Sequence, residues 1–108
     1  FEEYLKHKLP IAVGSDGPRP GSPPGSNARE IELLVSAGMD NLSAINSATL
    51  KSAELLGIDK ELGSIEVGKT ADIILVDGNP EKDISILKDI DKIKVVIIEG
   101  KVVKDISN

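Results

Sequence analysis

The sequence contains no cysteine, almost no aromatic residues and no long apolar run. Without cysteine the chain forms neither disulfides nor thiolate metal sites, a composition that suits a cytoplasmic protein. Aromatic residues make up 2% of the chain and are confined to Phe1 and Tyr4. Aromatic platforms for stacking bases or sugars are therefore missing, and the core must be built from aliphatic side chains.

Positive charge is also in short supply. The chain has 13 Lys and Arg against 18 Asp and Glu, a formal net charge of −5. This excess of negative charge argues against binding to nucleic acid or to anionic membrane surfaces. No apolar run approaches the roughly 20 residues that cross a bilayer, and no signal-peptide pattern opens the chain. We therefore expect a soluble, cytoplasmic chain with no nucleic-acid or membrane partner.

The length and the opening residues indicate whether this chain is a whole protein or part of a longer one. At 108 residues the chain has the size of one small domain or of a piece of a larger protein. It opens on FEEYLKHKLP, without methionine and with the pattern of the last turns of a helix. We interpret the chain as the C-terminal part of a longer polypeptide.

The pattern changes from helical to β near residue 60. Before it, IAVGS (11–15) is typical of a strand buried on both faces. The loop 16–26, which holds four prolines and three glycines, follows that run. Asn27, three residues before Glu30, suggests a capping box. Helical spacing then predicts helices over about 28–37, 42–48 and 50–56.

The remainder of the chain predicts strands. ADIILVD (71–77) is one strand by its β-branched apolar run. KIKVVIIEGKVVKDI (92–106) predicts two strands joined by a tight hairpin turn at Glu99-Gly100, where glycine supplies a positive φ. The polar connection between these segments, residues 80–91, has the pattern of a single helical turn.

GSIEVGKT (63–70) matches the phosphate-loop pattern of nucleotide-binding proteins. That loop holds phosphate only where a strand enters it and a helix leaves it. Here a helix precedes the loop and a strand follows it. We therefore predict an ordinary turn from Glu66 to Lys69, with Gly68 in an unusual backbone conformation, and no nucleotide binding.

Asp16 is the main candidate for chemistry. It directly follows the predicted buried strand and opens the long loop into a helix. In barrels of alternating strands and helices, active sites gather at this end of the strands. A carboxylate there can bind a metal or accept a proton from metal-bound water. Alternatively, Asp16 only shapes its loop through an Asx turn, and spacing alone leaves both readings open.

Other polar residues are weaker candidates. Arg19, within the loop, is suited to bidentate binding of a substrate carboxylate, although exposed arginines are common. Asn27, at the end of the same loop, is the second candidate substrate-binding residue. His7 lies among lysines on the opening helix and, without a second histidine, is predicted to be a surface residue rather than a metal ligand.

Several segments together resemble the C-terminal end of the metal-dependent amidohydrolases, in the imidazolonepropionase-like and Xaa-Pro-dipeptidase-like branch. The resemblance runs in order from about residue 9 to 104, and its characteristic block is LGSIEVGKTADIILVD. The segments are IAVGSD (11–16), GSNAREIELLVSAGM (25–39), AINSATLKSAELLG (44–57), LGSIEVGKTADIILVDGNP (62–80) and VIIEGKVV (96–103).

The resemblance implies an α/β fold in which residues 1–60 are the end of a (β/α)₈ TIM barrel and 61–108 part of a composite β-sandwich domain. It matches 11–16 to the eighth barrel strand, so Asp16 would bind or neighbour the metal and carry the proton of the attacking water. The cofactor implied is a divalent metal, zinc, whose other ligands lie outside this chain. Pro24 stands where relatives often carry histidine.

The function implied is hydrolysis of C–N bonds in cyclic or peptide-like amides, with a small-molecule amide or dipeptide-like substrate. The 108 residues alone are expected to be inactive, to hold no metal and to expose apolar surface that drives homo-oligomer formation. The alternative is a non-catalytic binding module on the same scaffold.

Overall fold

The computed structural model describes residues 1–18, 20 and 23–108. Within them, the α-helices lie before residue 60 and the strands after it, so the chain is of the α/β class. The elements in order are α1 (Glu2–Lys6), α2 (Asn27–Ser36), α3 (Asn41–Ala48), α4 (Leu50–Leu56), β1 (Ile73–Val76), a 3₁₀ helix (Ile84–Lys88), β2 (Ile93–Ile98) and β3 (Lys101–Asp105).

The helix ends agree with the predicted bounds to within a residue, but their caps differ. The predicted capping box is wrong, because Asn27 is the first residue of α2 and Ser26 occupies the cap position. The Ser26 hydroxyl does not cap the helix but donates to the Pro23 carbonyl at 2.6 Å. The carboxylate of Asp40 does cap α3, accepting from the Ser43 amide at 2.9 Å.

Residues 11–15, predicted as a strand, pair with no other strand among the described residues. A strand exists only through its hydrogen-bonded neighbours, and the sheet of this chain lies elsewhere. The segment instead rests on α3 and α4. The predicted strand therefore does not form among the described residues, because segment 11–15 has no strand there to pair with.

The three strands form one antiparallel sheet in the order β1-β2-β3. The predicted hairpin is confirmed, since β2 ends at Ile98 and β3 begins at Lys101. Glu99 and Gly100 lie between them with φ of 49° and 77°, the left-handed region that two-residue hairpin turns require. The predicted helical turn in 80–91 is the 3₁₀ helix.

The core is small. The buried apolar side chains of the described residues are Met39, Ala44, Ala53, Ile84 and Val95. The 3₁₀ helix packs on α2, where the Lys88 amine lies 2.6 Å from the Glu32 carboxylate. The Asn41 amide group, at the start of α3, donates to the Glu81 carbonyl at 2.9 Å. These contacts tie the helices to the sheet-bearing part of the chain.

Candidate functional site

The segment that carries Asp16 is anchored on a pair of serines. The amide of Val13 donates to the carbonyl of Ser47 at 3.2 Å and to the hydroxyl of Ser52 at 3.3 Å. The Ser52 hydroxyl in turn donates to the Ser47 carbonyl at 2.7 Å. Ser47 is buried between these contacts and the sulfur of Met39. These hydrogen bonds hold Val13, and with it the segment, against the junction of α3 and α4.

Asp16 is exposed and has an unusual backbone conformation. Its φ is 49°, in the left-handed region, which aspartate tolerates better than most residues because its short side chain can bond locally. The next amide, of Gly17, donates to the Ser15 hydroxyl at 3.3 Å. Uncommon backbone conformations cluster at functional sites, yet they also occur in turns that merely redirect the chain. The geometry accommodates a chemical role and a loop-shaping role for this residue.

The other candidates are placed differently. Asn27 is exposed on the first turn of α2, so it and Asp16 bracket the long loop. Arg19 lies outside the described residues. His7 is exposed on α1, with its Nε2 atom 3.3 Å from the Glu3 carboxylate, which confirms the prediction of a surface histidine.

A metal centre needs several ligands in one place. No group of three or more His, Cys, Asp or Glu side chains close enough to hold a metal occurs among the described residues. A zinc site takes three or four protein ligands. Asp16 can supply one carboxylate, so the described part of this chain does not complete such a centre.

The GSIEVGKT stretch forms a loop closed on itself. The Thr70 amide donates to the Glu61 carbonyl at 2.9 Å, and the Lys69 amide to the Glu66 carbonyl at 3.1 Å, which confirms the predicted turn. The amine of Lys69, whose side chain is 11% exposed, donates to the Ser64 hydroxyl at 2.7 Å and lies 2.9 Å from the Glu66 carboxylate.

This loop lacks the architecture of a phosphate loop. Helix α4 precedes it, ending at Gly57 with φ of 72°, and β1 follows it. The predicted order of helix, loop and strand is confirmed. The lysine that would meet a phosphate is turned inward to brace the loop.

Sequence reasoning missed two positions that the structure shows to be structural anchors. Ser52 and Ser47 stand within helical segments, where short polar residues carry no distinctive signal. Asp72 is exposed, and its carboxylate accepts from the Glu99 amide at 2.8 Å. That bond pins the β2–β3 turn to the start of β1, a contact between residues 27 apart.

The described residues line at least two clefts, and Asp16 lines neither of these two. One, of about 860 Å³, lies between α3, α4, the loop after α4 and β1, and is lined mainly by apolar side chains. The other, of about 660 Å³, lies between the opening helix and α3.

Within the described ranges, no helix has the length and apolar character needed to span a bilayer.

Comparison with known proteins gives a consistent picture. Residues 1–103 match the amidohydrolase family. The chain is 32% identical to the imidazolonepropionase of Alkaliphilus oremlandii, over 98% of this chain and 25% of the relative. It is 31% identical to the 5′-deoxyadenosine deaminase of Methanobrevibacter smithii, over 73% of this chain and 20% of that protein.

Solved structures agree. A Xaa-Pro dipeptidase with bound methionine in its active site superposes with a TM-score of 0.83 and 41% identity, over 96% of this chain and 24% of that one. The chain belongs to the amidohydrolase family. Within the family it is similar to the branch that holds imidazolonepropionases and Xaa-Pro dipeptidases. The chain spans between a fifth and a quarter of the length of these relatives.

Proposed function

We propose that this chain is the C-terminal part of a metal-dependent amidohydrolase that hydrolyses C–N bonds in cyclic or peptide-like amides. The observation that carries the proposal is Asp16, an exposed carboxylate at the end of an anchored segment, within a chain of this family. The similar proteins bear the names of a deaminase, an imidazolonepropionase and a dipeptidase. These names support hydrolysis and do not favour the binding-module alternative.

The proposed architecture assigns residues 1–60 to the end of a (β/α)₈ barrel and residues 61–108 to part of a composite β-sandwich. The unpaired segment 11–15 supports this assignment. It is apolar and half-buried, and it lacks strand partners among the described residues. A last barrel strand taken without its neighbours has these properties.

Asp16 is the proposed catalytic residue. Its carboxylate accepts a proton from the attacking water and returns it to the leaving nitrogen, so the amide bond breaks without releasing a free amide anion. A divalent metal, which we propose to be zinc, supplies acidification of that water when bound. Asp16 contributes at most one ligand to it, and the 108 residues alone are inactive and hold no metal.

The proposed substrate is a small-molecule amide or a dipeptide-like compound, with Arg19 and Asn27 as substrate-binding residues. The two lie in, or at the end of, the loop that Asp16 opens. The net charge of −5 and the lack of aromatic platforms support the absence of nucleic-acid, nucleotide and membrane partners. The absence of cysteine suits a cytoplasmic enzyme, and we propose that it assembles with copies of itself.

Replacing Asp16 by asparagine in the complete enzyme tests the catalytic role. Asp16→Asn keeps size and some hydrogen bonding but removes the base, so kcat should fall by about 10² to 10⁴. The melting temperature and metal content should change little. Asp91→Asn, which removes an exposed carboxylate between the 3₁₀ helix and β2, is the matched control and should retain full turnover.

Turnover of Asp16→Asn within about threefold of the wild type would contradict general-base loss and assign Asp16 to loop shaping. Loss of activity together with a lowered melting temperature would lead to the same conclusion.

A further inference from the structure

A closed triangle of hydrogen bonds joins segment 11–15 to the junction of α3 and α4. The Val13 amide is shared between the Ser47 carbonyl at 3.2 Å and the Ser52 hydroxyl at 3.3 Å. The Ser52 hydroxyl donates its own proton to the Ser47 carbonyl at 2.7 Å. Because that proton is already donated, the Ser52 oxygen offers a lone pair to Val13. All three corners of the triangle lie on this chain, so these bonds need no contribution from another part of a longer polypeptide.

The helix junction that receives Val13 is the most closely packed region of the helical part. Ser47 is 4% exposed, and its hydroxyl lies 3.6 Å from the sulfur of Met39. Ala44 on α3 and Ala53 on α4 are also buried, with 0% and 5% of their surface exposed. Close-packed interiors resist displacement of their side chains and backbone. The junction is therefore a rigid support for Val13.

Serine is not the residue that α4 by itself favours at position 52. Alanine is the better helix former, because a serine hydroxyl competes for backbone hydrogen bonds. Both bonds of the Ser52 hydroxyl leave its own helix, one to the Ser47 carbonyl on α3 and one to the Val13 amide. The hydroxyl therefore links segment 11–15 to the two helices and contributes nothing to the backbone bonding of α4.

Val13 precedes Asp16 by three residues, at most about 11 Å of extended chain. A catalytic group must be held in its productive geometry, and a misplacement of about 1 Å caused by a distant mutation can cost about 10²-fold in rate. We propose that Ser52 is a positioning residue for the hydrolytic reaction, whose hydroxyl sets the place of the Asp16 carboxylate through Val13. The inference rests on the proposed catalytic role of Asp16, and Ser52 acts only through that residue.

Steady-state kinetics of the complete enzyme with Ser52→Ala test the proposal. The value of kcat should fall about 10- to 100-fold because the Asp16 carboxylate is displaced. KM should change little, since Asn27 is held separately on the first turn of α2. Ser52→Thr keeps the hydroxyl and should recover most of the lost turnover. The matched control is Thr49→Val at the same junction, where the hydroxyl donates to the Ile45 carbonyl at 2.9 Å, and it should keep the wild-type kcat.

A double-mutant cycle shows whether Ser52 acts through Asp16. In the Asp16→Asn enzyme, adding Ser52→Ala should lower kcat no further, because the carboxylate that Ser52 positions is already gone. Amide hydrogen exchange gives a readout that needs no turnover. The exchange rate of the Val13 amide should rise in Ser52→Ala and return towards the wild-type rate in Ser52→Thr, while Thr49→Val leaves it unchanged.

Several results would overturn the inference and leave the catalytic role of Asp16 intact. One is an Asp16→Asn enzyme that has lost turnover beside a Ser52→Ala enzyme within about threefold of the wild type. The others are losses that multiply in the double variant, no recovery in Ser52→Thr, or an equal loss of kcat in Thr49→Val. A fully active Asp16→Asn enzyme would instead overturn the catalytic role of Asp16, and this inference with it.

Discussion

The helical and sheet-bearing parts of the chain differ in how they satisfy their backbone. In the sheet-bearing part, β1, β2 and β3 pair with one another, and the connections are closed by local bonds, such as that from the Asp77 amide to the Lys92 carbonyl at 2.7 Å. In the helical part, segment 11–15 has no strand partner among the described residues and is anchored through Val13.

The chain therefore supplies the strand pairing of its three-stranded sheet, but among the described residues it supplies no strand partner for segment 11–15. A hairpin and its neighbouring strand have all their partners within about 35 residues. Segment 11–15, which carries Asp16, depends on two serines of α3 and α4 for its position. The part proposed to hold the chemistry is thus the part least determined by its own contacts.

The largest effect is expected where the two parts join. Gly63 has φ of 99°, and an added Cβ would lie 2.7 Å from the Ala53 Cβ and 3.0 Å from the Leu50 Cα. Gly63→Ala should therefore lower the free energy of unfolding by about 2–4 kcal/mol, from overpacking and left-handed strain together. Chemical denaturation measures this.

Gly68→Ala is the control for Gly63→Ala, since its φ of 91° is similar but a Cβ there meets nothing within 4 Å. It should cost only about 1 kcal/mol, the backbone contribution. Equal losses for the two variants would show that contact with α4 does not join the two parts of the chain.

A smaller effect is expected from the bond that pins the hairpin. Asp72→Ala removes the acceptor of the Glu99 amide and should cost about 1–2 kcal/mol, because a charged acceptor is lost. Faster hydrogen exchange should appear first at Glu99 and its neighbours in the turn. Unchanged exchange there would contradict the prediction. It would mean that the β2–β3 turn is stable without the bond from the Glu99 amide to Asp72.

Within the helical part, Ser52→Ala tests the anchoring of the Asp16 segment. The variant loses the hydroxyl that accepts from Val13, while the Ser47 carbonyl still accepts from the same amide. The free energy of unfolding should fall by about 1 kcal/mol. The hydrogen-exchange rate of the Val13 amide should rise by more than the loss of global stability alone would cause, because local opening of the segment becomes easier. Ser36→Ala, exposed at the end of α2, should alter neither measurement.

The smallest effect concerns acid stability of the loop that precedes β1. Hydrogen bonds from Ser64 and from Lys69 lower the pKa of the Glu66 carboxyl below its ordinary value of 4.5. Stability from the ionised group is therefore full above about pH 4.5 and is lost as the pH falls through the lower folded value. Glu66→Gln should flatten the fall of the melting temperature between about pH 5 and 3. Glu2→Gln on α1 is the charge control, and an identical acid limb in wild type and Glu66→Gln would contradict the expectation.

Local pattern predicted much of this structure correctly. Helices α2, α3 and α4, the turn at Glu66–Lys69, and the hairpin at Glu99-Gly100 all follow from periodicity and from glycine or aspartate at points where the chain turns. The capping box predicted at Asn27 is wrong. Its pattern consists of only two residues, Asn27 and Glu30, and the neighbouring Ser26 occupies the cap position of α2 instead. The roles of Asp16, Arg19 and Asn27 stay predictions.

The sequence by itself determined α2, α3, α4, the three paired strands, their order and the helix-loop-strand arrangement around residues 63–70, because hydrophobic period and turn residues act over a few neighbours. The tertiary structure decided what those elements touch: Val13 on Ser47 and Ser52, Asp72 on the Glu99 amide, and Lys69 turned inward onto Ser64. Such contacts join residues through space. Their geometry emerges only when packing brings distant side chains within hydrogen-bonding distance, and no local pattern encodes it.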